Sequence, residues 1–410
     1  MNFSMTSLKS DTAKTEALRK IESSSWVTLE KSLDFRWFDS VDEIDPETWR
    51  RCFQASRFAR THRYQQAVEA SAPKGVRFQY LVAYEGEMVC AIVGCFLYRI
   101  PLSTTATGTA RKVMRFIERF LPSLFCVNGF FVGQLTSVCD HLYGFEEIAK
   151  EQRSAFLARS ETLIQARAQE LRSSVMIHKE IPQDDLDWVT KALGDDYVIA
   201  PSLPAMELSL QTSEPYEKQL RKKYRNHYRR RQRSANEKGL SWDVHRGPLS
   251  EVLAKEIEGL YLGSLDRSKT QFERLSASYF SSLMDHCPGA SIVLYKDGDI
   301  LVGFMINVES ENDFHGLYLG YDVSYRDAAL YFNLIYRSFE VAQEQGFQSI
   351  HLGQTSYEIK SALGAKRSNL HLALRASSPI VHALIKFFRN HLFPEINVPL
   401  RRAFHISSGS

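Results

Sequence analysis

The chain lacks most of the features that would assign it at a glance. Its six cysteines (Cys52, Cys90, Cys95, Cys126, Cys139 and Cys287) include no Cys-x-x-Cys pair and no zinc-type spacing. Neither a disulfide framework nor a metal site is therefore expected, and reduced, mostly structural thiols in the cytoplasm are. The longest apolar run, Met88 to Leu97, is far short of the roughly 18 residues that mark a transmembrane segment. Residues 1–30 are polar and mixed in charge; without the apolar core of a signal peptide they read as a disordered N-terminal arm. No Gly-x-x-x-x-Gly-Lys-Ser/Thr loop, His-Glu-x-x-His or Gly-x-Ser-x-Gly occurs, which leaves an ATP-binding loop, a zinc protease and a hydrolase elbow without support. A net charge of +3 is too small to classify the protein. Apolar residues are plentiful: 44% of the 410 residues are hydrophobic and 12% aromatic, enough for roughly two or three domains.

One pattern occurs twice. Phe78 to Tyr84 leads through Glu85-Gly86-Glu87 into Met88 to Leu97, and Ser291 to Tyr295 leads through Lys296-Asp297-Gly298-Asp299 into Ile300 to Val308. Glycine in a tight turn between apolar runs predicts a β-hairpin in each case. A strand, a long helix and a strand follow each hairpin: 124–135, 154–171 and 174–178 in the first half, and 313–321, 326–345 and 349–352 in the second. The repeat predicts an α/β (α+β) fold of two duplicated units, each a mixed twisted sheet flanked by helices. The expected division is a first unit at 31–212, a basic linking helix at 213–240 and a second unit at 241–410 ending in a helix. An insertion near 98–123 contains the basic amphipathic stretch Ala110 to Pro122.

The second unit closes with Gly353-Gln354-Thr355-Ser356-Tyr357-Glu358-Ile359-Lys360 and Gly364. With the duplicated unit and the clustered arginines of Tyr216 to Gly239, this segment resembles the tandem GNAT-type acyltransferases. The nearest branch is the Fem-like group, which includes peptidoglycan aminoacyltransferases and BioF2-like acetyltransferases; the resemblance spans residues 35 to 375. It implies transfer of an acyl or aminoacyl group from acyl-CoA, acyl-carrier protein or aminoacyl-tRNA. The acceptor would be an amine or hydroxyl of a small metabolite, peptide or lipid precursor, with no bound cofactor.

Acyl transfer needs a base, donors for the oxyanion and an acid for the leaving group. The resemblance assigns Tyr357 as the acid. Lys360, three residues on and near the same helical face, is expected to bind substrate, as are Gln354, Arg326 and Tyr321. Strict alternation puts His315, Leu317, Leu319 and Tyr321 on one strand face and Phe314, Gly316, Tyr318, Gly320 and Asp322 on the other. Asp322, at the strand's carboxyl end, is the expected base, and His315 and His351 are the remaining acid-base candidates. The helix start, Val323 to Ala329, has no glycine. Ser324 and Asp327 instead form a capping-box pattern that competes with phosphate for the free N–H groups, although Arg326 offsets it. That departure weakens a coenzyme A donor.

The basic stretch places Tyr216, Leu220, Tyr224 and Tyr228 at spacing four, a stripe that packs inward while the cations face out. Arg221, Lys222, Arg225, Arg229 and Arg230 are the residues expected to meet tRNA or another anionic partner. The same stripe supports an alternative reading, a non-catalytic module that binds nucleic acid through this helix; a solvated linking helix is the plainer one. Near the carboxyl terminus, Ser378-Pro379 predicts a helix to about Leu392. Ile380, Leu384, Phe387 and Phe388 lie near one side, either closing a core or, with the insertion's Lys112, Arg115 and Phe116, making peripheral contact with lipid.

Overall fold

The computed structural model describes residues 33–53, 57–101, 126–210, 214–268, 274–311 and 313–405. The expected N-terminal arm and the Ala110 to Pro122 stretch lie outside them. Both hairpins form, and each turn is led by a glycine in the left-handed region, Gly86 at φ +64° and Gly298 at φ +58°. The first sheet contains β1 (Leu33–Phe38), β2 (Arg77–Glu85), β3 (Met88–Pro101), β4 (Cys126–Val132), β5 (Tyr143–Gly144), β6 (Val175–Pro182) and β7 (Val198–Pro201). The second contains β8 (Ala205–Ser209), β9 (Ser241–Arg246), β10 (Ala290–Asp297), β11 (Ile300–Glu309), β12 (Phe314–Tyr321), β13 (Ser349–His351) and β14 (Lys366–Ser368), after which β15 (Leu370–Ala376) returns to the first.

The sheet orders are β1-β2-β3-β4-β6-β15-β7, with β5 against β3, and β9-β10-β11-β12-β13-β8-β14. Each has one parallel pair, β4 with β6 and β12 with β13, and a parallel pair needs a crossover, supplied by α1 (Arg153–Glu170) and by a helix at Leu330–Glu344. The hairpins even share an irregularity. Two residue pairs beyond each turn the register skips one residue of the second strand, leaving Cys90 and Val302 unpaired at equivalent places. The duplication is therefore real down to its β-bulges. A clean boundary at 212/213 is corrected: the sixth place in each sheet is taken by a strand from the other half, β15 in the first and β8 in the second. Alternation marks a strand but cannot say which remote edge it joins.

The halves also share a core. Phe58, Tyr64 and Val68 pack with Tyr279, Phe280, Ile292 and Phe304, and fully burying an apolar side chain of this size contributes roughly 1.5–3 kcal/mol. The basic segment is a short turn, Tyr216–Gln219, a break at Leu220, and α2 (Lys222–Glu237). Its stripe is inward as expected, with Tyr216 and Leu220 buried and Tyr224 and Tyr228 packed on the second core. Then come α3 (Glu251–Arg267), α4 (Leu330–Glu344), α5 (Tyr357–Ala362) and α6 (Pro379–Phe387). Ser378 caps α6 with Pro379 at its first turn, and no described helix is long and apolar enough to cross a membrane.

Candidate active site

A cleft opens where β12 and β13 part. Only two residue pairs join them, Phe314 with Ile350 and His315 with His351. Beyond His351 the chain turns away through Gly353, Thr355 and Ser356, all in the left-handed region. The resulting cavity, about 620 Å³, is walled by β12, the start of α4, the end of α3 and the 352–360 segment, with Ser137 to Cys139 of the first half on another side. Four of its lining residues, Cys139, Ala329, Thr355 and Ser356, are non-glycine residues at positive φ. Each such residue costs on the order of 1–3 kcal/mol and persists only where the surroundings impose it, a pattern concentrated at functional sites.

Strict alternation along β12 fails, and the reason is local. Ile306 pairs with Tyr318 and Asn307 with Gly316, so Leu317 is an extra, bulged residue. The bulge resets the faces. Phe314, Leu319 and Tyr321 pack on the α4 side, while Leu317 and Tyr318 join the core shared with the first half. His315 therefore faces Phe58, with ring centroids 4.6 Å apart, and not the side of Leu319 and Tyr321.

At one end of the cleft His315 and His351 stack at 4.3 Å, and Asp313 lies beside both. Its carboxylate is 3.3 Å from His351 Nε2 and 3.8 Å from His315 Nε2. Burial opposes ionisation of Asp313, but the two neighbouring imidazoles outweigh it and hold the carboxyl below its usual range. Burial pushes His315 down to about 4, so its ring is neutral near pH 7. The donor atoms of these three residues lie within 4.8 Å of one another, close enough to share a cation. Arg57 already stands against that charge, with Nε 3.7 Å from Asp313 and a terminal nitrogen 3.6 Å from Asp140. Asp140 is in turn gripped by Arg60 at 2.7 and 2.8 Å, so the first half buttresses the histidine pair of the second.

Lys360 lines the same cleft and is buried, its Nζ donating to the Gln354 carbonyl at 2.5 Å. Burial lowers its pKa to about 8. Gln354 is fixed by donating to the Leu203 carbonyl and to Glu180, whose carboxylate also accepts from the Val138 and Cys139 amides. The other end is formed by Arg326, Tyr321, Arg267 and the first turn of α4. Arg267 donates to the Tyr321 carbonyl at 3.1 Å and sits over its ring.

The helix start departs from expectation. Val323–Ala328 is a 3-10 turn capped by Asp322, which accepts from the Ser324 amide at 2.9 Å and hydroxyl at 2.8 Å. The helix itself begins at Leu330 after Ala329, which is left-handed and offers no side-chain cap. The expected Ser324–Asp327 capping box therefore does not close α4. The Phe332 N–H donates back to the Ala329 carbonyl, and the first turn of α4 lines the cleft without a side-chain cap, where a helix amino terminus favours an anion.

The structure thus brings together His315, Lys360, Gln354, Arg326 and Tyr321. It does not bring in Asp322, exposed and occupied as a cap, or Tyr357. The Tyr357 ring packs on the second core outside the cleft lining, and its hydroxyl is buried without a hydrogen-bond partner; being first in a six-residue helix did not decide which way it turned. Of the expected anion contacts, Arg221 and Arg225 donate to the carbonyls of Phe404 and Leu220, and Arg229 pairs with Glu217. Lys222 is exposed, and Arg230 reaches His227. His351, an acid-base candidate on sequence, joins His315 in the cleft; residues that the sequence reading left out as site groups are Asp313, Arg267, Arg57 and Cys139. Arg231 lies 3.3 Å over the ring of Phe332 at the cleft edge. The two histidines stood at matching places on neighbouring strands, which parallel pairing could have revealed.

Residues 222–361 match the family described as Acetyltransferase (GNAT) domain. Among solved structures, the crystal structure of FemX superposes with a TM-score of 0.52 at 11% identity, covering 86% of this chain and 100% of that one. A tandem GNAT protein from the clavulanic acid biosynthesis pathway, without AcCoA, gives 0.49 at 12% identity over 85% and 99%. L-PGS from Bacillus licheniformis gives 0.43 at 13% over 66% and 86%. No curated protein matches this sequence. Residues 222–361 thus carry a GNAT acetyltransferase-type domain, and the chain shares its overall fold with FemX.

Proposed function

We propose that this protein transfers an acyl group from a phosphate-bearing thioester, of the acyl-CoA or acyl-carrier type, to an amine or hydroxyl held at the histidine end of the cleft. The observation that carries this reading is the polarity of the cavity. An uncapped helix start with Arg326 and Arg267 lies at one end and the Asp313, His315 and His351 group at the other, with Lys360 on the wall formed by the 352–360 segment. At 3.3 Å per residue, the six residues from His315 to Tyr321 place these ends roughly 20 Å apart, room for an extended donor.

In this reading the donor's phosphates sit on the first turn of α4, beside Arg326. Its carbonyl lies between the separated strands. His351, oriented by Asp313, accepts the proton as the acceptor attacks, and the Lys360 ammonium donates to the oxyanion. Collapse of the tetrahedral intermediate breaks the carbon–sulfur bond, and the thiolate takes up a proton. Charged tRNA is the weaker donor reading, because three of the five expected contacts, Arg221, Arg225 and Arg229, are already engaged within the chain.

The test is mass spectrometry of the purified protein with an amine library and, separately, acyl-CoA mixtures, acylated carrier protein and charged tRNA. Thioester-dependent product, lost in Asp313→Asn and Lys360→Met, is expected. Product from charged tRNA alone would overturn the donor assignment, and undiminished turnover in both variants the site.

A further inference from the structure

Helix α6 and the turn that follows it, Arg389–Leu392, carry an apolar face that no described residue covers. A helix with apolar residues on one side ordinarily buries them, yet no residue of α6 is buried. Ile380 is 75% exposed, Leu384 53% and Phe387 81%, and Val381, Phe388 and Leu392 are exposed with them. Contiguous apolar surface of this kind marks an interaction site.

The charges on the helix itself have one sign. From Ala376 to Pro394 the sequence contains no aspartate or glutamate, and Lys386 and Arg389 stand among the apolar residues; acids flank the segment, with Glu395 following Pro394 in the chain and Asp196 paired with Arg375 at 4.0 Å. The face is also remote from the cleft. β15 ends at Ala376 beside Val175, the start of β6, whereas Glu180, which holds the Cys139 amide at the cleft wall, is five residues further along that strand. That is about 17 Å at strand rise, so the face does not extend the acyl cavity.

We propose that α6 and Arg389–Leu392 dock this protein on an anionic phospholipid bilayer. The apolar side chains enter the headgroup and acyl boundary while Lys386 and Arg389 meet the phosphates. An exposed apolar stripe combined with cations and no acids is the composition that such a surface selects, whereas an aqueous face would carry both signs. Docking here leaves the cleft free on a different part of the molecule, so it is independent of the acyl-transfer reading.

The test is co-sedimentation of the full chain with vesicles of phosphatidylglycerol and phosphatidylcholine in equal parts, and with phosphatidylcholine alone. Binding to the anionic vesicles is expected, weakened by salt and at least about tenfold weaker in Leu384→Glu/Phe387→Glu. Lys386→Glu/Arg389→Glu removes the preference for anionic lipid. All four side chains are exposed, so an unchanged thermal midpoint checks that the variants fold. Three results would overturn the proposal: no sedimentation with either vesicle, binding that survives the apolar double variant, or self-association through these residues in place of lipid binding. A cross-link from α6 to residues 102–125 in a monomer that ignores vesicles would assign the face to that segment and also overturn it.

Discussion

Replacing Lys360 by methionine separates the cost of this site from its use. In the folded protein the ammonium is buried and its pKa falls to about 8, from an ordinary 10.5. At about 1.36 kcal/mol per pKa unit, holding that charge at pH 7 costs the fold about 3 kcal/mol. The hydrogen bond to the Gln354 carbonyl returns part of it, about 1.5–3 kcal/mol for a charged donor. Lys360→Met, similar in length and apolar, is therefore expected to be within about 1.5 kcal/mol of wild type at pH 7, or more stable, while turnover drops by about two orders of magnitude or more. The pH dependence follows from the direction of the shift. A depressed pKa gives stability that is present above 10.5 and lost as pH falls through 8, so wild type gains on the variant by up to about 3 kcal/mol from pH 8 to 10.5. Urea unfolding of both proteins at pH 7 and 9.5, with turnover measured in parallel, reads both effects. A variant destabilised by the same large amount at both pH values would refute the reasoning, because Lys360 would then be an ordinary structural contact.

Four further outcomes are expected. Arg326→Ala should raise the KM for a phosphate-bearing donor by about tenfold with little change in kcat, the loss of one charge-assisted contact; equal kinetics with the donor varied would remove Arg326 from the donor end. Burial lowers His315 to about 4 from 6.5, so it contributes stability above pH 6.5 that is lost as pH falls through 4; thermal midpoints of His315→Gln should be flatter than wild type across that window. At Gly320 an added Cβ would lie 2.6 Å from Phe304 and 2.7 Å from the Leu260 backbone; Gly320→Ala should destabilise by about 1–3 kcal/mol in urea unfolding. Tyr357→Phe removes a buried hydroxyl without a partner and should keep activity within about threefold while holding or raising stability; loss of turnover would return Tyr357 to the chemistry.

Local sequence determined what local physics governs. The hairpin turns needed a residue tolerant of positive φ, and Gly86 and Gly298 supply it. The inward stripe from Tyr216 to Tyr228 and the Ser378-Pro379 helix start follow from helical spacing and capping. The repeated order of elements made the duplication legible, and the Gly353 to Lys360 segment marked one wall of the cleft. Tertiary structure decided the rest. Which sheet β8 and β15 join depends on edges far away in sequence, and a single bulge at Leu317 reversed the faces that alternation assigned along β12. Asp322 and Tyr357 were suitable by residue type and place in the chain, yet a two-residue cap bond and a core contact claimed them. His315, His351 and Asp313 become one group only because parallel strands meet for two residues before parting. Propensity and capping act over a few residues, but the direction of a side chain at a strand's end is set by the packing of the whole sheet.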